Sequence, residues 1–231
     1  MTLSILLLGF MIGMRHAIET DHVAAVASLA TSSGSIGDTV RQGAAWGLGH
    51  TLTLFVFGSI VLVFDAVLPE QLAHTLELLV GIMLIALGFD VLRRLARDKI
   101  HFHTHHHDDG EQHFHAHSHV GERVHQPERH HHAHTEGFPL RALYVGLMHG
   151  MAGSAALILL TLQTVKSPIT GLVYIALFGA GSMAGMALLS FVIAIPLRCS
   201  ARGLTWLHNG LQGAVGCATI LIGAFLIFQS S

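Results

Sequence analysis

The sequence predicts an all-α integral membrane protein of six transmembrane helices, arranged as two inverted three-helix repeats. Three observations carry this reading. The 231-residue chain is 52% hydrophobic and only 11% charged, with a mean hydropathy of +0.59. Six stretches, near 3–30, 40–64, 72–95, 140–164, 169–197 and 204–228, are long and apolar enough to span a bilayer, which takes about 20 residues. Short motifs also recur in order at offsets of 133, 132 and 135. Gly13-Met14-Arg15-His16 matches Gly146-Leu147-Met148-His149, Gly47-Leu48-Gly49-His50 matches Gly179-Ala180-Gly181-Ser182, and Val80-Gly81 matches Val215-Gly216. Three spans is an odd number, so the second repeat must cross the membrane upside down. Such halves meet near mid-membrane.

The first repeat is expected over 1–97, a hydrophilic insert over 98–137 and the second repeat over 138–231. Span 1 has no Lys or Arg before its apolar run, and a polar cluster follows where a small-residue cleavage site would stand, so it reads as a span and not as a signal peptide. Polar turns (TSSGSIGD, PEQ, VKSP and Cys199–Arg202) separate most spans, and Pro69 and Pro168 mark two of them. Span 3 carries Glu77 and Asp90, candidate ion relays, with helix-end solvation the simpler role for Asp90. His74 and His208 lie near span ends and read as interfacial. The 25 glycines suit close packing of membrane helices. Two cysteines, Cys199 and Cys217, are too few for a disulfide framework.

The insert holds 14 of the 20 histidines, with seven acids against three bases, so its charge is −4 with histidine neutral. It has almost no aliphatic residues and is expected to be disordered without metal. His101, His103, His105, His106, His107, His113, His115, His117, His119, His130, His131, His132 and His134 are candidate ligands for metal buffering there.

Orientation follows from Lys and Arg near the span ends. One side carries Arg41, Arg93, Arg94, Arg97, Lys99, Arg141, Arg198 and Arg202, and the other only Lys166. The positive-inside bias places the first side, and with it the insert, in the cytoplasm. Both termini are then outside, in a multi-pass protein of the cytoplasmic (inner) membrane.

Span 1 contains Arg15-His16-Ala17-Ile18-Glu19-Thr20-Asp21-His22, five ionisable residues in eight positions. Each charge at the bilayer centre costs roughly 2.5–3.5 kcal/mol on insertion scales. The cluster must therefore face a protein interior or a water-filled path. In a regular helix His16, Glu19 and His22 fall within an arc of about 120°, while Asp21 points about 140° away from His16. Either Asp21 serves another partner or the helix unwinds near 17–20, which is tolerated where backbone lines a cavity. Arg15 is a candidate ion-pair partner for Asp21 or Glu19. His50 and His149 also sit inside apolar spans beside glycines. A lone helix histidine is often only a hydrogen-bonded packing residue, but His149 occupies the repeat position of His16. Imidazole and carboxylate together suit Ni²⁺, Co²⁺, Zn²⁺ and Cu²⁺, and the lack of nearby thiolate argues against Cu(I). His16, Glu19, Asp21, His22, His50 and His149 are the candidate ligands.

Residues 15–22 resemble the RHAxDADH motif of the nickel/cobalt transporter family, and Gly49-His50-Thr51 resembles that family's GHS/T-type motif. Met148-His149-Gly150-Met151-Ala152-Gly153-Ser154 is similar to a segment of the short urease-accessory-type nickel permeases of the same group. Glu19 and Thr20 depart from the family's Asp and Ala, and many members have eight spans. The resemblance implies that His16, Asp21 and His22 handle metal, with His50 contributing. It implies a secondary transporter of Ni²⁺ and/or Co²⁺, not an enzyme, with no prosthetic group and with the metal, Zn²⁺ included among the candidates, as cargo. Its partners would be the bilayer, divalent ions and cytoplasmic nickel chaperones or urease and hydrogenase maturation proteins, with no nucleic acid. Uptake is favoured over efflux because the first motif resembles uptake permeases.

Three alternatives stand beside this. One is an efflux permease, since the insert resembles that of a nickel/cobalt efflux branch. The second is a zinc carrier of the cation-diffusion type, which usually ends in a soluble domain, whereas this chain stops shortly after its last span. The third is a membrane metalloenzyme, which would want dense His motifs on rigid helices. No GxxxxGK[ST] segment occurs, so nucleotide hydrolysis by that route is not expected.

Overall fold

Residues 2–64, 70–97, 101–106, 112–117, 138–152, 167–201 and 205–230 are described by the computed structural model. Seven helices are found among them: α1 (Thr2–His16), α2 (Thr20–Ala30), α3 (Ile36–Phe64), α4 (Glu70–Arg97), α5 (Leu140–Ala152), α6 (Pro168–Ala201) and α7 (Thr205–Gln229). Four helices have spans long and apolar enough to cross a membrane, at Ile36–Leu62, Gln71–Arg97, Ile169–Ala201 and Thr205–Gln229. They coincide with the expected second, third, fifth and sixth spans. The first differs, being two shorter helices separated at Ala17–Glu19. Of the fourth, only α5 is described; residues 153–164 lie outside the described set.

The chain is a multi-pass membrane protein, and its side chains are sorted accordingly. Large apolar residues such as Leu52, Phe89, Leu188, Leu221 and Phe225 face outward, while His22, His50, His149, Ser28, Ser182 and Thr219 are buried. Polar groups turn inward because hydrocarbon offers them no hydrogen bonds. Hydroxyls then link neighbouring helices: Thr51 Oγ1 donates to Gly179 O (2.8 Å), Thr53 Oγ1 to Leu147 O (3.0 Å) and Ser182 Oγ to Gly13 O (3.1 Å). Ser28 Oγ and Thr219 Oγ1 are 2.9 Å apart, tying α2 to α7.

The main packing pairs are α3 with α6, α4 with α7, α3 with α5 and α1 with α6. Glycines set these approaches. A Cβ at Gly13 would meet Phe178 O, and one at Gly146 would meet Trp46 O. In the same way Gly49 lies on Leu143 O and Gly181 on Phe10 O. Small residues at such positions let membrane helices pack at backbone distance. Trp46, Phe178, Leu84 and Met186 are fully buried between them.

Within the insert, where disorder is expected, the structure describes one antiparallel hairpin, β1 (His101–His106) with β2 (Gln112–His117). The His-x-His-x-His alternation in both arms has the two-residue period of a strand. His101, His103 and His105 stand opposite His117, His115 and His113. His107, His119, His130, His131, His132 and His134 lie outside the described residues.

Candidate metal centre

The site is built where α1 stops. Ile18 N–H donates to Arg15 O and Glu19 N–H to His16 O, both at 3.1 Å, closing a tight turn instead of continuing the helix. Glu19 is extended at the N-cap of α2 (φ −64°, ψ 149°), and Val23 N–H donates back to its carbonyl at 2.9 Å. This unwinding answers the geometric problem of Asp21. The turn re-aims the start of α2, so Asp21 shares a site with His16 despite the unfavourable helical angle.

Four imidazoles converge there. Ring centroids are 4.4 Å apart for His16 and His22, 4.3 Å for His22 and His149, 5.0 Å for His22 and His50, and 5.3 Å for His16 and His50. His22, His50 and His149 are at most 1% exposed, and His16 is 8% exposed. Trp46 packs 5.3 Å from His22 and 5.4 Å from His149, and Phe178 packs 5.3 Å from His16. These aromatic walls come from α3 and α6, at positions 132 residues apart. Composition and spacing did not flag them, although Trp46 stands four residues before His50 and hence on the same helix face.

In the neutral form of each ring, the form that binds metal, the carboxylates fix which nitrogen carries the proton. His16 Nδ1–H donates to Glu19 Oε1 at 2.8 Å. Asp21 Oδ1 accepts from His22 N at 2.9 Å and from His22 Nδ1–H at 3.0 Å, and its Oδ2 accepts from His149 Nε2–H at 2.9 Å. His16 Nε2 is then an acceptor, facing His50 Nε2 at 3.3 Å. His22 Nε2, His149 Nδ1 and His50 Nδ1 remain as lone pairs, each buried without a hydrogen-bond partner among the described residues. Buried polar atoms in native proteins are nearly always satisfied, and several lone pairs without donors suit a cation. Two groups of ligand atoms lie close enough to hold a metal ion: His16, His22 and His50, and Asp21, His22 and His149.

All six sequence candidates thus meet at one place, with Glu19, 57% exposed, supporting His16 from the rim. The remaining candidates sit elsewhere. Arg15 is exposed and pairs with neither Asp21 nor Glu19 among the described residues. Asp90 accepts from Arg141 at 2.6 Å and lies 3.4 Å from Arg94, joining α4 to α5. His208 donates from Nδ1 to Leu197 O at 3.1 Å and accepts from Gln212 Nε2 at 2.9 Å. With Thr39 and Arg198 it lines a cavity of about 180 Å³ at the far ends of α2 and α6.

Over 228 residues, covering 98% of this chain and 92% of the relative, the sequence is 35% identical to the urease accessory protein UreH of Bacillus sp. (strain TB-90). No protein-family model matches the chain, and no solved structure does.

Proposed function

The chain belongs to the family of the urease accessory protein UreH, and from that membership we propose that it is a secondary transporter moving Ni²⁺ and/or Co²⁺ across the cytoplasmic membrane through the buried His/Asp cage. The observation that carries this is the convergence of four buried imidazoles and one carboxylate at a break in a membrane helix, with ligand lone pairs that no protein donor meets. Imidazole nitrogens favour Ni²⁺, Co²⁺ and Zn²⁺ over oxygen-seeking Mg²⁺ and Ca²⁺. The resemblance of residues 15–22 to nickel/cobalt carriers and the urease-accessory relative favour nickel and cobalt over zinc. His16, Asp21, His22, His50 and His149 are the transport ligands, and Glu19 orients His16.

The two halves are read as inverted repeats with the cage at their interface. Support comes from packing. The pair Gly13–Phe178 maps onto Gly146–Trp46, and Gly49–Leu143 onto Gly181–Phe10, at the offsets found in the sequence. A two-fold between inverted halves requires such reciprocal pairs. The side rich in Lys and Arg is taken as cytoplasmic. The insert is then a cytoplasmic metal buffer, its opposed histidine positions in β1 and β2 offering two-histidine sites. Nickel chaperones or urease and hydrogenase maturation proteins are the partners this places downstream. The role is that of a carrier and not of an enzyme.

Direction is tested by measuring Ni²⁺ and Co²⁺ content in cells expressing the chain against empty-vector cells. Uptake predicts higher content. Lower content would reverse the direction, and no change for either ion would remove the transport reading.

A further inference from the structure

The cage is two overlapping ligand sets with one residue in common. The ligand atoms of His16, His22 and His50 lie within 4.8 Å of one another, and so do those of Asp21, His22 and His149. We propose that the cage offers one divalent cation two adjacent positions, and that the ion passes between them by exchanging partners around His22. This rests on the reading of the cage as the transport site.

The two positions differ in chemistry. The first presents three imidazoles and no direct charge. Behind two of them stand carboxylates, Glu19 Oε1 on His16 Nδ1 and Asp21 Oδ1 on His22 Nδ1. A carboxylate on one ring nitrogen holds the other as the ligand and raises its basicity. The second position uses Asp21 itself, whose Oδ2 contacts His149 Nε2; binding there replaces that hydrogen bond, and the His149 proton moves to Nδ1 so that Nε2 becomes the ligand. Asp21 therefore changes from support to ligand as the ion moves, and the ion gains a negative charge beside it. His22 stands midway, with its centroid 4.4 Å from His16 and 4.3 Å from His149. Three protein ligands leave coordination places open, which permits stepwise exchange.

The positions also differ in which elements build them. His16, His22 and His50 come from α1, α2 and α3, all in the first half of the chain. The second position joins Asp21 and His22 of α2 to His149 of α5, in the second half. Only the second position draws a ligand from α5, so a displacement of α5 would dismantle it and leave the three ligands of the first in place. Exchange at His22 thereby couples the ion's step to movement of α5. Because His22 serves one ion at a time, the cage holds a single ion.

The test is cobalt absorption spectroscopy of the purified full chain and its variants. Low-coordinate Co²⁺ absorbs far more strongly than hydrated six-coordinate Co²⁺, and the same spectra on the chain with residues 101–134 replaced by Gly/Ser separate cage-bound ion from ion on the insert. The expected result is one strongly absorbing Co²⁺ per chain. His50→Ala should retain it with one spectrum and His149→Ala with a different one, while His22→Ala loses it. His50→Gln and His149→Gln repeat the comparison with side-chain volume kept. Loss of the band in both single-site series, or one unchanged spectrum throughout, would show a single position and overturn the proposal. Two strongly absorbing ions per chain would also overturn it. No such band in the wild-type chain would remove the cage as a cation site, and the transport reading with it. Separate spectra combined with no cellular Ni²⁺ or Co²⁺ transport would leave the two positions standing and defeat only the transport reading.

Discussion

At the scale of single residues, the cage separates groups by what their removal exposes. Asp21 accepts three hydrogen bonds, two from His22 and one from His149. Asp21→Ala strips both rings of their orienting acceptor and removes the only carboxylate in either ligand set. His16→Ala, Asp21→Ala and His22→Ala are each expected to reduce Ni²⁺ accumulation to the empty-vector level while membrane insertion persists. His50→Ala should be severe and His149→Ala milder. Ser182 is the contrast. It stands 132 residues after His50, in the motif matched to Gly47–His50, and donates to Gly13 O, a bond worth about 1 kcal/mol net. Ser182→Ala should therefore transport at nearly the wild-type rate, and a null Ser182→Ala phenotype would extend the site to α6. The cage residues were legible because ionisable residues inside apolar sequence have few uses. The Asp21–His149 contact, spanning 128 positions, was not, since no local pattern encodes the meeting of α2 and α5.

At the scale of elements, the helix break is the main departure from what periodicity suggests. Residues 3–30 read as one span interrupted by the ionisable cluster at 15–22, and only the awkward angle of Asp21 hinted at a turn. Three residues of unwound backbone are held by the local Glu19–His16 pair across the turn and by the tertiary pairing of Asp21 with His149 of α5. The glycine contacts make a sharper prediction. Gly146 meets Trp46 O, three residues before His149. Gly146→Leu should push α5 from α3 and abolish transport, with loss of thermal stability in detergent. A wild-type melting temperature and rate would refute the packing account. The Asp90–Arg94–Arg141 group is different. Asp90 is 30% exposed, and pairs of this kind contribute about 0–1 kcal/mol. Asp90→Ala should leave transport intact, which would discount it as an ion relay. In the insert, disorder was expected because almost no aliphatic residues are there to bury; the strand-like alternation was present in the sequence, but a lone two-stranded hairpin is marginal in water. Imidazole titrates near ~6.5, and protonation competes with metal, so binding by the insert should weaken from pH 7 toward pH 6. Equilibrium dialysis of the full chain, against one with residues 101–134 replaced by Gly/Ser, measures this difference. Transport should survive the replacement.

At the scale of the whole molecule, the proposed transport needs an orientation in the bilayer and a site between the two halves. Composition and hydropathy were enough to anticipate a multi-pass protein, and four of the six expected spans are found as long apolar helices. A cysteine placed at Ser118 should resist an impermeant thiol reagent in intact cells, and labelling there would invert the topology. The central claim, that the cage carries the metal without nucleotide, is most directly tested by Ni²⁺ entry into nucleotide-free proteoliposomes. The wild-type full chain is compared with His22→Ala reconstituted in equal amount. The account predicts Ni²⁺ entry well above empty liposomes for the wild-type chain and entry at the empty-liposome level for His22→Ala. Equal rates for the two proteins would contradict it.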